Sequence, residues 1–504
     1  MRKVIPDQMT IGEIDISNVE FDLNCRDEIP QLMLGLQYIY DTPEVRRQVF
    51  EVLKKIVSEN ISADNGRPGM HLWRILVLGT LRLNCNWDFD KLHDIANNHK
   101  TLRQILGHGL IDDDYYYALQ TLKDNVSLFT PEVLKEINRI VVKAGHQLMG
   151  KSPDAKIQGK CDSFVVETNV HYPTDINLLL DAMRKVIMLI AQLCLSIQLS
   201  DWRQNGYNFI KIKSLFRNIQ KLKRSTSKDE TKQAKRNELI IQAHQAYINL
   251  SVAYLEKVEA TLAKIPASES IEKQDKIQEI QRYMKHARRQ IDQIERRVIA
   301  GEDIPHNEKV FSIFEEHTEW ISKGKAGVPQ ELGLRVCVLT DNDGFILHHQ
   351  VMEKQTDDKV AVPMIETTQA DFPELNGCSF DKGFHSPANK QDLSERLDKL
   401  VLPKKGKLSA ADKQVEFSEE FVHTRRKHSA IESAINALEN HGLDRCPDHG
   451  IDGFKRYVAL AVLARNIQML GHLIQQKERK RRKRCERYRL TWERNRFRAA
   501  EAVA

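Results

Sequence analysis

The sequence predicts an α/β protein: a mixed sheet layered with helices, preceded by an all-α N-terminal segment and interrupted by a helical insertion. Three observations predict it. Alternating apolar residues, rich in β-branched and aromatic types, mark strands near 156–172, 334–352 and 378–384. Three-to-four spacing marks helices over 27–148 and almost without a break over 176–300. A strongly apolar helix over 454–474 is long enough to cover a sheet.

At 504 residues the chain exceeds one typical core. The pattern divides it into a helical N-terminal domain over 1–150, a sheet-bearing domain in two pieces (151–175 and 301–476), a coiled-coil-like insertion over 176–300 and a basic tail over 477–504. The formal net charge of +6 is modest, but Lys477 to Arg498 is overwhelmingly basic while the rest is near balance. That asymmetry points to an anionic polymer or a membrane surface as partner. Eight scattered cysteines without a Cys-x-x-Cys pair fit a reducing compartment and argue against a disulfide framework or a four-cysteine zinc module. Met1 to Asn24 lacks the apolar stretch of a signal peptide, and no run reaches the ~18 apolar residues that span a bilayer. A soluble intracellular protein is therefore expected.

In the N-terminal segment, Pro43 and Glu44 open a helix carrying Val45, Val49, Val52 and Ile56 on one stripe. Gly66-Arg67-Pro68-Gly69 breaks the chain, and Leu72, Ile75, Leu76, Leu78 and Leu83 line the next helix. Phe89, Leu92 and Ile95 give a third, and Thr130-Pro131-Glu132 joins a capping threonine to a proline in the first turn. Such short helices either present one helix to a DNA groove or form an ordinary helical domain, and the segment is not notably basic.

Lys160-Cys161-Asp162-Ser163-Phe164-Val165-Val166-Glu167 reads as a strand with an aspartate inside its apolar alternation. Asp162 either sits at a strand end facing water or projects from the sheet to hold a cation, because a half-buried charge needs a partner. In the insertion, Leu239, Ala243, Ala246, Leu250 and Ala253 form one seam, and Ile277, Ile280, Met284, Ala287, Ile291, Ile294 and Val298 form another, with a turn at Pro266, Ser268 and Ser270. Lys211, Lys213, Arg217, Lys221, Lys223 and Arg224 crowd its polar faces.

Leu334 to Thr340, Asn342-Asp343-Gly344 and Phe345 to Met352 read as a hairpin. Cys378 to Phe384 is a short strand ending at Asp381 before a glycine turn. Pro387 and Asn389 lead into a helix through Leu393, Leu397 and Leu400, and Lys404 to Lys413 reads as a polar loop. Arg425 to Leu438 reads as one helix, with Ile431, Ile435 and Leu438 on its buried face and Arg425, His428, Glu432 and Glu439 on the other.

Asp162, Asp381 and Glu432 thus share a context: two strand positions and one helix face. Three converging carboxylates suit two hard divalent cations, Mg²⁺ or Mn²⁺, of the kind that drive in-line phosphoryl displacement. Glu167 and Asp175 are nearby acids that sequence does not separate from them. His441, Cys446 and His449 fit no standard zinc spacing and read as a polar loop. In the tail, Lys480, Arg481, Arg482, Lys483 and Arg484 interleave with Tyr488, Trp492 and Phe497, which suits phosphate contact with base stacking.

Cys161 to Asp175 resembles the first-aspartate strand of DDE-type transposases of bacterial insertion sequences, most nearly the ISNCY group. Phe380-Asp381-Lys382-Gly383-Phe384 resembles their second-aspartate motif, and Arg425 to Ser433 their glutamate helix. Gly66 through Gly107 is similar to their helical N-terminal domain. The resemblance covers roughly residues 60–175 and 310–475. It implies an RNase H-like catalytic domain with Asp162, Asp381 and Glu432 as catalytic and metal-binding residues for two Mg²⁺ or Mn²⁺ ions. It further implies cleavage at terminal inverted repeats and joining of the freed ends to target DNA, by a homodimer acting on double-stranded DNA in the bacterial cytoplasm at the nucleoid, away from membranes. Arg425, His428, Lys382 and Arg67 join the tail as DNA contacts. Two features depart from the pattern. Many relatives carry Tyr-x2-Arg-x3-Glu-x6-Lys where this chain has Arg425, His428, Glu432 and Glu439, and the insertion precedes the hairpin rather than following it. An RNase H-like nuclease that cuts without joining, and a non-catalytic transposase-derived DNA-binding protein, are the alternatives.

Overall fold

The computed structural model describes residues 3–5, 13–22, 25, 29–57, 69–109, 114–224, 229–265, 270–322 and 330–501, without the side chains of 493–501. Arg67 and the break around it, and Pro266 and Ser268 of the expected turn, lie outside the described residues. Two compact units result: Met1–Asn169 with Ile321–Ala504, and Val170–Trp320.

The first unit begins with α1 (Ile29–Asp41), α2 (Pro43–Lys54), α3 (Leu72–Asn84), α4 (Phe89–Asn98), α5 (Lys100–Ile105), α6 (Leu119–Val126) and α7 (Pro131–Leu148). The start signals work as expected: Thr130 Oγ1 accepts from the Val133 N–H, and Pro131 occupies the first turn of α7. Every residue of α3 is buried, so its apolar run makes it a central helix rather than an amphipathic surface one. Strand β1 (Ile157–Thr168) follows.

The second unit carries α8 (Asp175–Ser196), α9 (Asn205–Lys223), α10 (Glu230–Leu262) and α11 (Ile271–Ile294), the last continuing as a π turn over Glu295–Ile299. The α11 seam is buried through Ile280, Met284, Ala287, Ile291 and Ile294, but it packs chiefly on α8, while α10 packs on α9. The expected hairpin of two facing seams is therefore replaced by a four-helix arrangement. On α10 the buried stripe runs through Ala243, Tyr247, Ile248, Leu255 and Val258, leaving Leu239, Ala246 and Ala253 exposed. A straight helix drifts relative to a strict heptad, and Tyr247, whose hydroxyl donates to the Ile176 carbonyl, anchors the drifted face.

The chain returns through β2 (Glu319–Ser322) to β3 (Gln330–Asp341), β4 (Ile346–Met352), α12 (Asp357–Asp371), β5 (Leu375–Phe380), α13 (Pro387–Arg396), β6 (Lys399–Val401), α14 (Ala410–Glu416), α15 (Glu419–His428), α16 (Ala430–Leu438), β7 (Arg445–Cys446) and α17 (Gly450–Glu501). The seven strands form one mixed sheet in the order β2-β3-β1-β5-β6, with β4 on β3 and β7 on β1. β3 runs antiparallel to β1 and β4, whereas β5 is parallel to β1 and β6 parallel to β5.

The pleat sorts the side chains into two cores. Cys161, Cys337, Leu339 and Phe380 face α12, while Phe164, Val166, Val336 and Val338 face α16, α17 and the N-terminal helices. Three expectations change in this part and one element is new. Helix α12 occupies a stretch whose periodicity Pro363, inside it, obscures. Leu400 is not on the preceding helix but in β6, because α13 ends at Arg396. The loop after Lys404 contains α14, started by a capping box between Ser409 and Asp412. The helix expected over 425–438 is two helices, interrupted at Ser429, whose hydroxyl bonds back to the Arg426 carbonyl, a habit that bends helices. It then gives way to a π turn at Glu439–Leu443.

Helix α17 is the spine of this unit. An 18-residue window of it is apolar enough on average to cross a membrane, and 72% of that window is buried, as befits a core helix. A Cβ on Gly35 would overlap the Ile467 carbonyl and one on Gly471 the Gln31 carbonyl, so glycine at both points lets α1 and α17 cross closely. Further along, Asn466 clamps the start of β4: its Oδ1 accepts from the Ile346 N–H at 3.0 Å, and its Nδ2 donates to the Ile346 carbonyl and to Asn138 Oδ1. Asn466 is fully buried. Replacing it with alanine strands an amide and a second asparagine in the core. We expect Asn466→Ala to lower unfolding free energy by about 2–4 kcal/mol in denaturant titration, with the far-UV spectrum retained.

Candidate active site

The site is set by strand register. β5 is parallel to β1 with Cys161 beside Phe380, so the next residues, Asp162 and Asp381, leave the sheet side by side on the face opposite those two. β5 ends there, and β7 joins β1 only at Glu167 and Thr168. Between these two partners the flank of β1 is open. Lys160 and Ser379 lie one step back on the same face, paired in the same register.

Helices α15 and α16 cross this face, against β5 and β1 respectively, and bring His428 and Glu432. Ile431, Ile435 and Leu438 seat α16 in the core, leaving Glu432 exposed. His428 Nδ1 and Ser379 Oγ share a hydrogen bond of 2.9 Å, while its Nε2 is buried with no hydrogen-bond partner. Burial lowers the His428 pKa, and the charges of Asp381 and Glu432 oppose that shift. The imidazole therefore lies in the field of both carboxylates with one nitrogen unused.

Asp162 feels the assembly most. Burial raises its pKa to about 6, with further upward pushes from Asp381, Asp357 and Glu432, against the lowering effect of the Ser163 N–H donated to its Oδ1 at 2.8 Å. Sequence reasoning missed Asp357, the first residue of α12. Its Oδ1 accepts from Ser163 Oγ at 2.7 Å, and a Cβ at Gly383 would come within 2.9 Å of its Oδ2, so the glycine after Lys382 leaves this acid its room. The signal was the Thr356-Asp357-Asp358 helix start, hidden because α12 itself is masked in the sequence. Lys160 gains a role that its sequence context does not suggest: its Nζ donates to Asn342 Oδ1 at 2.8 Å, and burial lowers its pKa.

The neighbouring acids have other work. Glu167 accepts from Arg445 Nη2 at 2.9 Å on the sheet, and Asp175, in the second unit, pairs with Arg297 at 2.7 Å. His441 hydrogen-bonds through Nδ1 to the Asn84 carbonyl, so it serves the core beside α3.

Cations border the carboxylates. Lys382 and Arg425 line a groove with Lys404 and Arg426, beside Phe417 and Val422. Lys382, Arg425 and Arg426 are exposed and form no ion pair among the described residues. In the tail, α17 runs on past the core: Lys477 to Trp492 holds nine basic and two acidic residues, and Arg481 and Arg482 share Glu478 as ion-pair partner. Lys480, Lys483 and Arg484 are exposed on the same stretch.

Register places Asp162 beside Asp381, and α16 packs Glu432 against β1 near enough for both charges to act on Asp162, with oxygen donors suited to hard cations. Among the described residues, the one group of three whose donor atoms all fall within 4.8 Å of one another is instead His146, Asp341 and Asp343, which sequence reasoning missed. Asp341 is already employed: Oδ1 accepts from the Asp343 and Phe345 N–H groups and Oδ2 bonds His146 at 2.6 Å, while Lys151 pairs with Asp343. That group fastens the β3–β4 turn to α7. Compared with known proteins, the chain matches no family model, no curated protein and no solved structure.

The raised Asp162 pKa has a stability consequence. Unfolded, this carboxyl titrates near 4, and folded at about 6, so the folded state takes up a proton between those values. Stability from this group therefore increases as pH falls from 6 to 4, and at neutral pH its buried charge is a burden. In chelator, Asp162→Asn should be more stable than wild type by about 1–3 kcal/mol at pH 7.5, allowing for partial solvent screening, with the difference gone below pH 4. A less stable variant at pH 7.5 would contradict this origin of the shift.

Proposed function

We propose that the chain is a DDE-type DNA transposase with an RNase H-like catalytic domain. The observation that carries the proposal is the nearness of Asp381 and Glu432 to Asp162, whose pKa is raised by burial and by the other two. The topology supports it: three antiparallel strands, then two parallel strands reached through α12 and α13, is the order expected of such a domain. The split of the first unit around a helical second unit is compatible with an insertion in that domain.

Asp162, Asp381 and Glu432 would hold two Mg²⁺ or Mn²⁺ ions, with Asp357 adding its charge from the α12 side of β1, where it accepts from Ser163 Oγ. Bound there, such ions supply activation of the attacking hydroxyl and stabilisation of the leaving oxygen. A cation would also explain why an acid so readily neutralised is placed among three others. Gathering the three onto shared ions requires side-chain movement, since their donor atoms do not all lie within 4.8 Å of one another as they stand. The other residues act on the DNA. His428, fixed by Ser379, would offer its unpartnered Nε2 to a phosphate oxygen once side-chain movement uncovers it, the atom being buried as it stands. Lys382, Arg425 and Arg426 hold the backbone that leads into the groove, and the basic tail adds sequence-independent affinity. Two copies would act on two terminal inverted repeats and join them to target DNA.

The test is cleavage and joining of a plasmid carrying the native flanking DNA, with Mg²⁺ or Mn²⁺, for wild type and Asp381→Ala. The expected result is metal-dependent cutting at the flanks and joined products, both falling at least about 10³-fold in the variant. Cutting without joining would indicate a nuclease, and binding without cutting a DNA-binding protein. Ending the chain at Gln476 should weaken DNA binding at least tenfold and make its log–log salt slope shallower by about three or more, one unit for each phosphate the tail no longer neutralises. A salt slope identical to wild type would remove the tail from the interface.

A further inference from the structure

The second unit holds a cavity of about 350 Å³ that the proposed function does not use, within the size range of small-ligand sites, roughly 300–1,000 Å³. One wall is aromatic. Trp320 stands between Tyr172 and Phe311, with ring centroids 5.7 Å away on each side, and His306 lies 5.3 Å from Phe311. Tyr172 is 61% exposed, so the fold leaves much of this ring uncovered.

The polar lining is selective. Arg297 is held at 2.7 Å on Asp175, and Lys223 and Lys309 also act on that carboxyl. Lys309 and Asp303 line the cavity and form no ion pair among the described residues. Two cations, Arg297 and Lys309, and two carboxylates, Asp175 and Asp303, thus line it, and because Arg297 and Asp175 pair with each other, Lys309, His306 and Asp303 are the polar groups left for a guest.

We propose that this cavity binds a nucleotide: the base stacks on the exposed Tyr172 ring with its edge toward Trp320, which stands at 69° to that ring, Asp303 accepts from an exocyclic amino group, and Lys309 with His306 holds the phosphate. Stacking is indifferent to base identity, so the acid supplies the preference for adenine, cytosine or guanine over thymine. The nucleotide is either free or one residue of a single strand. The inference does not rest on the transposase proposal, for a chain that binds nucleotide and cuts nothing keeps the one and loses the other.

The full chain would be titrated with dAMP, with dTMP and with a short single-stranded adenine oligonucleotide, following tryptophan quenching and equilibrium dialysis. Saturable quenching by dAMP, at least about fivefold weaker with dTMP, establishes a free-nucleotide site. Saturation by the oligonucleotide alone, with the sensitivities below, establishes a strand site. Tyr172→Ala and Lys309→Glu should each weaken binding by about tenfold, and Trp320→Phe should abolish the quenching while dialysis still detects ligand. Unaltered melting temperatures in the three variants show that the unit is folded. No saturation by any of the three ligands, binding insensitive to all three substitutions, or displacement by tetramethylammonium would overturn the proposal.

Discussion

The register that sets Cys161 beside Phe380 is the constraint on which the candidate site depends. One residue later β1 carries Asp162 and the chain leaving β5 carries Asp381, so strand spacing brings the two acids near each other at the point where β5 gives way to the turn over Lys382–Phe384. A slip by one residue would turn Asp162 toward α12 and place Cys161 among the carboxylates. The slip is opposed from both sides. Phe164 and Val166 are buried in one core and Cys161 in the other, so the apolar pattern that folds the sheet also aims the acid. The early end of β5 then leaves β1 without a strand partner on that side from Asp162 until β7 joins at Glu167.

The electrostatics run against the packing. Asp162 lies in the field of Asp381, Asp357 and Glu432, and burial adds to that field. Folding alone would favour an amide or an apolar residue there. Elsewhere in the unit local choices agree with the global structure: Thr130 caps α7, glycines admit the α1–α17 crossing, and Asn466 satisfies the start of β4. One place where agreement breaks down, in an otherwise consistent unit, is where function is to be sought. The neighbouring cations Lys382, Arg425 and Arg426 do not relieve the acids through ion pairs, which leaves both charge sets available to a ligand carrying phosphate and a cation together.

The strands that carry the site were legible because period-two patterning and hairpin chemistry are local. β1, the turn at Asn342-Asp343-Gly344 and the tip of β5 follow from a few adjacent residues each. What was not legible depended on something local rules obscure. Pro363 hid α12, and with it Asp357; Ser429 divided a periodic stretch into α15 and α16; the capping box at Ser409 went unused. Helix partners were less legible still. The α11 seam says that a face is buried, but its chief partner is α8, more than 70 residues upstream, and heptad spacing holds nothing that specifies this.

Helix α17 joins the two ends of the functional picture. Its first half is fixed by apolar contact with α1, α3 and α7 and by the Asn466 clamp, and its second half is a highly basic surface with Tyr488 and Trp492 exposed. A helix continuous from core to tail transmits orientation, whereas a flexible basic extension would contribute charge alone. A rigid arm confines its phosphates to one direction, so neutralising the arm should alter where along the DNA the protein sits as well as how tightly it binds. A flexible arm would alter tightness only, because counterion release is indifferent to position. In the proposed transposase the buried half of α17 would therefore matter to DNA registration although none of its core side chains would touch DNA, and the close crossing at Gly35 and Gly471 is a contact that sets its direction.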